Sequence, residues 1–395
     1  MKNYLLVLAG ILFSQFTYSQ ADTEIYLFDL NLSIEGIQLT NPKNISNNPG
    51  YDNQPSFLGN HTVLFASTRD DQTDVVKFDI LNGSIKTWLT DTPTGGEYSP
   101  LKIPEKEAFS AIRLDLDGLQ RLYQYELKTG TSEVLLKDLK VGYHVWFNTD
   151  IIVCTVLKEN RMDLVVANLK NGSTYTVQKN VGRSLHRIPN SNLISYVSKE
   201  KEEWTIKSID PITGSTNFIS NTYGKTEDMC WLKDGSILAG AGKAIVMANP
   251  NKKVPWQQIM YFPQEEIHSI SRLTANDNGT RLAFVSETSP RHIVQKQLEA
   301  YNDRDIDSFV STFSHTIEIF NYPNQLIGKG KDELREMYDS FFNSTPDLKC
   351  EIKNRIVYEN KVIDEEFLTI NGRNFSALAI YEVENGKIAK VTFIQ

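Results

Sequence analysis

The sequence predicts an all-β propeller of six blades followed by a small α+β cone, a curved antiparallel sheet covered by helices. Three observations lead to this fold class. Hairpin turns recur regularly through the first part of the chain, half of one repeat lies at each end of that part, and a helical pattern begins abruptly after Glu287. We therefore divide the chain into a leader (residues 1–20), a propeller (residues 21–287) and a cone (residues 288–395).

The turns set the period of the repeat. Each turn lies between two segments of alternating apolar residues, and its glycine supplies the positive φ that a tight hairpin needs. The turn glycines recur at intervals of 42 to 47 residues. A period of about 40 to 45 residues with four short strands is typical of a propeller blade. The turns are Asn82-Gly83, Thr129-Gly130, Asn171-Gly172 and Thr213-Gly214.

The last blade is divided between the two ends of the region. Residues 270–287 contain two strands and then the pattern stops, whereas residues 24–40 contain two strands that lack a blade. Joining the two halves closes the ring, and a closed ring leaves no unpaired strand edges.

One repeat also resembles a known family. The segment LTANDNGTRLAFVSE is similar to the inner hairpin of TolB-like propeller repeats, whose pattern is roughly S-P-D-G-x-x-I-A-F-x-S. Residues 65–79, with an S-x-R-D loop before an apolar strand, resemble the next part of that repeat, although Asn276-Asp277-Asn278 departs from the S-P-D pattern. The resemblance covers about residues 24–287 and implies the fold; some members of the family scaffold protein contacts, and others carry hydrolase or lyase sites.

The cone begins with helices and ends with long strands. Ser289 can cap a helix and Pro290 suits its first position. Apolar residues then recur at helical spacing, and Asn371-Gly372 and Asn385-Gly386 are hairpin turns. The predicted elements after this helix are a short helix at 306–313, a strand at 317–321, a helix at 331–342, and strands at 348–358, 361–370, 375–383 and 388–393.

This second region resembles the SnoaL-like, ketosteroid-isomerase-like branch of the nuclear transport factor 2-like superfamily. The resemblance rests on VQKQLEAYNDRDIDSFVSTF, TIEIFNYP, GKGKDELREMYDSFF and YEVENGKIAKVTFI, and it covers about residues 291–395. Isomerases of that branch have a carboxylate base, a tyrosine and a protonated acid. The corresponding positions here are Asn321, Gln297 and a position near Ala379, so the resemblance disfavours ketosteroid-isomerase activity.

Several polar residues of the cone remain candidates for a site. Asp364 and Glu366 share one face of a strand, because side chains alternate with period two. A buried Asp364 has a raised pKa and can act as a general acid or base, although alternation alone does not decide which face lies inside. The catalytic candidates are Asp364, His315 and Tyr338; the ligand-binding candidates are Asn321, Tyr322, Tyr338 and Glu366.

The propeller offers a weaker signal for a metal. Aligning the blades on their first strands groups six polar residues, but no HxH or HxxxH spacing is present, and polar residues are common at ring openings. We predict no metal site and no cofactor. The six residues are Asp52, Glu97, His144, Arg183, Glu227 and His268.

The N-terminus and the composition predict an exported protein. Lys2 and the apolar run YLLVLAGILF are typical of a secretory signal with a cut near Ser19 or Gln20. The net charge of −8 disfavours nucleic acid as a partner. The three cysteines lie far apart in apolar strands, and we interpret them as buried small hydrophobic residues.

Two hypotheses about function follow. The first is an exported, periplasmic or secreted, non-catalytic binding protein. Its propeller would contact protein or glycan, and its cone would hold a small hydrophobic ligand or form a homodimer. The second is a SnoaL-like isomerase, dehydratase or cyclase that uses acid–base residues in the cone. Two facing ionisable groups in an otherwise apolar cone interior would favour the enzyme.

Overall fold

The computed structural model describes residues 22–33, 36–48, 50–69, 72–82, 85–263 and 266–394. The predicted signal sequence at residues 1–20 lies outside the described residues. The described chain forms six four-stranded sheets followed by one six-stranded sheet with three helices. The predicted fold class, a six-bladed propeller followed by an α+β cone, is therefore confirmed.

The propeller strands follow the chain in order. The first pair is β1 (Thr23–Ser33) and β2 (Gly36–Asn44). The next two blades are β3 (Asp52–Phe57), β4 (Thr62–Arg69), β5 (Gln72–Asp79) and β6 (Lys86–Trp88), then β7 (Gly95–Lys102), β8 (Ala108–Asp115), β9 (Gln120–Glu126) and β10 (Ser132–Leu136).

Three further blades and a final pair complete the ring. They are β11 (Val141–Trp146), β12 (Ile151–Lys158), β13 (Arg161–Asn168) and β14 (Thr174–Gln178); β15 (Val181–Arg187), β16 (Ile194–Ser198), β17 (Thr205–Ile209) and β18 (Thr216–Asn221); β19 (Met229–Trp231), β20 (Ile237–Ala241), β21 (Ala244–Asn249) and β22 (Val254–Tyr261); and β23 (Ile270–Ala275) with β24 (Arg281–Glu287).

The two ends of the propeller share one blade, as the split repeat predicted. That sheet has the order β2-β1-β24-β23, and β1 runs antiparallel to β24 from Thr23 opposite Glu287 to Asp29 opposite Arg281. Within this blade the ring of Phe28 stacks on that of Phe284 with centroids 5.2 Å apart. The blade is therefore held by both main-chain pairing and a buried aromatic contact.

The hairpin turns have the predicted conformation where the structure describes them. Gly130, Gly172 and Gly214 have φ of +68°, +72° and +76°. In each turn the glycine N–H donates to a carbonyl four residues earlier, at 2.8 to 2.9 Å. In these three blades glycine therefore takes up positive φ at the same point of the hairpin.

The cone consists of three helices on a curved sheet. Its elements are α1 (Pro290–Asp303), α2 (Ile306–Ser311), β25 (Phe313–Asn321), β26 (Gln325–Lys329), α3 (Lys331–Ser344), β27 (Lys349–Tyr358), β28 (Lys361–Ile370), β29 (Arg373–Glu384) and β30 (Lys387–Ile394). The sheet order is β26-β25-β30-β29-β28-β27, in which only β25 and β30 are parallel among the described pairs.

Local details of the cone differ from the sequence prediction. The strand β26 was not predicted, β25 begins four residues earlier than expected, and α2 ends at Ser311 rather than at residue 313. Ser289 occupies the position before α1, but its side chain makes no capping hydrogen bond. Pro290 at the first position of the helix is as predicted.

The propeller and the cone meet where the ring closes. The Thr288 N–H donates to the Asp22 carbonyl at 2.9 Å, and the Asp22 carboxylate accepts the Gly50 N–H at 2.7 Å. The turn between β29 and β30 packs against the Asp22 carboxylate. A Cβ atom at Gly386 would overlap it, and the φ of Gly386 is +67°. Both contact and conformation therefore require glycine at this position.

Two other observations concern the described residues as a whole. The three cysteines Cys154, Cys230 and Cys350 are buried and unbridged, as predicted. None of the described helices combines the length and apolar character needed to cross a bilayer.

Truncating the closing aromatic contact should weaken the propeller. Phe284 is fully buried, and we expect Phe284→Ala to cost about 3–5 kcal/mol through lost burial and the cavity left behind. The matched control is Phe218→Ala, since Phe218 is 64% exposed and its loss should cost no more than about 0.5 kcal/mol. All five tryptophans precede the cone, so urea unfolding followed by tryptophan fluorescence reports on the propeller. Equal midpoints for the two variants would contradict this account.

Candidate functional site

The cone encloses a cavity of about 680 Å³ between the inner face of its sheet and the helices α1 and α3. Apolar and aromatic side chains form most of its wall. The lining residues are Gln297, Leu298, Tyr301, Phe313, Ile319, Asn321, Ile327, Leu334, Met337, Tyr338, Phe341, Cys350, Glu366, Leu368, Ile370, Phe375, Ser376, Ala377, Tyr381, Val391 and Phe393.

The strand β28 brings carboxyl groups to the inside of the cone. Val362, Asp364 and Glu366 are buried and alternate with residues that are more exposed, so their shared face is the inner one. Glu366 lies opposite Ala377 of β29. Because alanine is small, the space next to Glu366 remains part of the cavity.

Glu366 is the carboxyl group that faces the cavity. It is 5% exposed, and its Oε1 accepts a hydrogen bond from the Tyr381 hydroxyl at 2.8 Å. Burial raises the pKa of Glu366 to about 7, against the lowering effect of this hydrogen bond. Near neutral pH the carboxyl group is therefore divided between its protonated and ionised forms. Burial likewise raises the pKa of Tyr381, which keeps its phenol protonated.

Asp364 lies on the same face but does not line the cavity. Arg355 of β27 lies directly opposite and donates from Nε to Oδ1 and from Nη2 to Oδ2, both at 2.6 Å. Arg355 also donates from Nη1 to Gln295 Oε1 at 2.8 Å. The side chains of Asp364 and Arg355 are 1% and 7% exposed. A carboxylate held in a buried bidentate ion pair is not available as an acid or base.

Three aromatic rings of the helices form one wall of the cavity. The ring centroid of Tyr338 lies 6.3 Å from those of Tyr301 and Phe341, and both pairs are edge-to-face. Tyr301 and Phe341 are 6.4 Å apart. Burial raises the pKa of Tyr301 and of Tyr338, with a further contribution from nearby Glu366. Both phenols are therefore neutral at physiological pH.

The other candidates from the sequence divide into two groups. Asn321 lines the cavity together with Gln297. Tyr322 is 66% exposed and does not line the cavity. His315 is exposed and faces a cleft between the two domains. The structure places Tyr338, Asn321 and Glu366 around one cavity, and their role as ligand-binding residues stays a prediction. Tyr381 also lines this cavity and was missed, although the inward alternation of β29 could have indicated it.

The cleft between the domains is a second, more polar concavity of about 1950 Å³. On the propeller side its wall includes Tyr51, Tyr98 and Arg69, and on the cone side it includes His315 and Lys387. Both signs of charge are present. The cleft therefore has the character of a wet surface groove and not of an apolar pocket.

The six aligned propeller residues do not form one site. Asp52, Glu97 and His144 are buried within the blades, and His144 Nε2 lies 2.7 Å from Ser110 Oγ. Arg183 is paired with Asp228, and His268 is exposed. Within the described ranges no group of three or more potential metal ligands was found.

Comparisons with known proteins agree with both resemblances. Residues 294–391 match the family model described as a SnoaL-like domain. The propeller is similar to the structure of a putative TolB from Agrobacterium tumefaciens, with 10% identity over 68% of this chain and 99% of that chain and a TM-score of 0.53. No curated protein matched the chain. At this identity the similarity shows the fold alone.

The cone is also similar to solved structures of single-domain proteins. One is an uncharacterized cystatin fold protein from Novosphingobium aromaticivorans, 25% identical over 27% of this chain and 99% of that chain, with a TM-score of 0.27. The assignment of the cone rests on the family model and on the strand order, and both resemblances noted in the sequence are confirmed at the level of fold.

Removing Arg355 should destabilise the cone, because its ion pair with Asp364 is structural. We expect Arg355→Met to cost about 3–5 kcal/mol, since it leaves a buried carboxylate without a counter-charge. The double variant Arg355→Met/Asp364→Leu should recover most of that loss. Differential scanning calorimetry of the full chain measures both effects. A single variant as stable as the unmodified protein would contradict a structural role for the pair.

Proposed function

We propose that the protein is an exported, non-catalytic binding protein whose cone holds a small, largely apolar ligand. The observation that carries this proposal is the cavity of about 680 Å³ within the cone. Its size lies within the range of small-molecule sites, which are mostly apolar with a few polar groups that fix orientation. Here Glu366, Tyr381, Asn321 and Gln297 are those polar groups.

The polar groups support binding in preference to chemistry. Acid–base catalysis of the kind that the second hypothesis requires commonly uses two groups of different proton affinity. Glu366 and Tyr381 are two facing ionisable groups, as the enzyme would need, but burial raises the pKa of Tyr381 and keeps its phenol protonated. Glu366 is therefore the one lining group described that exchanges a proton near neutral pH, and Asp364 is paired with Arg355. The side-chain amides of Asn321 and Gln297 do not exchange protons at neutral pH. A single carboxyl group serves readily as an anchor for a ligand.

The same proposal includes export, a partner surface in the cleft between the domains and a dimer surface on the cone sheet. Export rests on the signal-like residues 1–20, and N-terminal sequencing of the protein from its host would test it. The polar cleft between the two domains is the surface that we assign to a protein or glycan partner. A homodimer would use the outer face of the cone sheet, where Ile356, Ile363 and Ile380 lie side by side across three strands. Sedimentation at several concentrations would test the dimer.

A second candidate function has one observation in its favour. A carboxyl group with a pKa of about 7 in an apolar cavity is suited to general acid–base work, and Tyr381 could donate to a developing negative charge. An isomerase, dehydratase or cyclase acting through Glu366 would lose turnover on Glu366→Gln and keep its affinity for the apolar part of the substrate. A pure binding protein would show no turnover to lose.

Filling the cavity tests the proposed function. Ala377 points inward next to Glu366, so Ala377→Phe should occupy ligand space and lower the affinity for 1-decanol at least tenfold in isothermal titration calorimetry. The control is Leu378→Phe, because Leu378 follows Ala377 on the same strand, points to the outer face and does not line the cavity. Its affinity for 1-decanol should stay within about twofold of the unmodified protein.

Two results would overturn the proposal. Failure of the unmodified protein to bind 1-decanol and related apolar compounds would show that the cavity is not a ligand site. Equal binding by the two variants would show that 1-decanol binds elsewhere.

A further inference from the structure

The lining of the cone cavity can carry a negative charge but no positive charge. Among the described lining residues no lysine, arginine or histidine is present, and Glu366 is the one carboxyl group. The remaining titratable lining groups are three tyrosines and Cys350. Burial raises the pKa of each of them, so they stay neutral. The cavity is therefore neutral or negative, and never positive, in the physiological range of pH.

Glu366 has hydrogen-bonding capacity that the protein leaves unused. Its Oε1 accepts from Tyr381, and this is the one hydrogen bond that Glu366 makes among the described residues. A carboxylate has about four acceptor sites. At 5% exposure the group is screened from bulk water, and Glu366 lines the cavity that a ligand would occupy.

The surroundings of Glu366 do not supply a counter-charge of their own. Tyr381 faces it from β29, Tyr338 from α3, Tyr301 from α1 and Cys350 from β27, and all of these are neutral. The nearest charges are Asp364 and Arg355, which have opposite effects on the pKa of Glu366 and are paired with each other.

The aromatic wall of the cavity favours a positively charged group on the ligand. Tyr301, Tyr338 and Phe341 line the cavity, with their ring centroids 6.3 to 6.4 Å apart. Aromatic faces carry partial negative charge and attract cations, and cages of such rings recognise quaternary ammonium groups. The rings and the carboxyl group therefore both attract a positive charge on a ligand.

We propose that the natural ligand of the cone is a cationic amphiphile, in which a quaternary or protonated ammonium group is attached to an apolar body. The ammonium group pairs with ionised Glu366 and contacts the ring faces, and the apolar body fills the rest of the cavity. This inference rests on the proposed function and narrows it to one chemical class. Fatty acids and phosphate esters are disfavoured, because a ligand anion would meet a carboxyl group and no basic side chain among the described lining residues.

The pH dependence of binding follows from the same group. Ionised Glu366 attracts the cation, whereas protonated Glu366 does not. With a pKa of about 7, the ionised fraction rises about tenfold between pH 6 and pH 8. A quaternary ammonium ligand keeps its charge throughout this range, so any change in its affinity comes from the protein.

The experiment compares three probes with the same alkyl chain and different head groups. They are decyltrimethylammonium, 1-decanol and decanoate, each titrated into the full-length mature protein below its aggregation concentration. At pH 8 we expect decyltrimethylammonium to bind at least tenfold more tightly than 1-decanol, and decanoate to bind more weakly than either. Between pH 6 and pH 8 the affinity for decyltrimethylammonium should rise severalfold and that for 1-decanol should stay constant.

The variant Glu366→Gln isolates the charge. Glutamine can still accept the hydrogen bond from Tyr381, so the cavity keeps its shape. An unfolding midpoint equal to that of the unmodified protein in differential scanning calorimetry verifies that the variant is folded. We expect the preference for decyltrimethylammonium and its pH dependence to disappear in this variant. A preference that persists in Glu366→Gln would overturn the inference, since another group would then provide it.

The probes also separate the two proposals. If 1-decanol binds and decyltrimethylammonium binds no more tightly, the inference about charge is wrong and the proposed function stands. If no probe binds the unmodified protein, the proposed function itself is overturned, and the inference falls with it.

Discussion

The pairing of β1 with β24 closes the propeller and sets the position at which the cone begins. It joins residues near the two ends of the propeller, from Thr23 opposite Glu287 to Asp29 opposite Arg281. Without it, two sheet edges would be left unpaired in water, where they invite association with other chains. The same pairing fixes where the cone starts, because α1 begins three residues after β24 ends. Asp22 then contacts both Thr288 and the turn at Gly386.

The cone shows how one strand can give two neighbouring carboxyl groups different roles. Asp364 and Glu366 are two residues apart on β28 and both are buried. Arg355 lies across from Asp364 and neutralises it, whereas Ala377 lies across from Glu366 and leaves space. Burying a carboxyl group without a counter-charge is costly unless its pKa rises. That cost is understandable if Glu366 serves a ligand that enters the space beside it.

Local signals in the sequence were sufficient for the fold but not for the site. Turn glycines such as Gly130 and the abrupt change after Glu287 act through neighbouring residues, so the blades and the cone could be predicted. The strand β26 is only five residues long and was missed. The separate roles of Asp364 and Glu366 depend on cross-strand register, which links residues far apart in the chain, and alternation within one strand could not reveal it.

If the cone is a ligand-binding pocket, the protein should leave its host with a compound bound. Native mass spectrometry of the mature protein purified from its host, with organic extraction of any bound compound, measures this. We expect one small molecule bound per chain, released by extraction and absent from Ala377→Phe, in which the cavity is filled. A protein that carries the mass of the bare chain alone, with nothing in the extract, would contradict ligand binding by the cone and turn attention to the propeller as the working part.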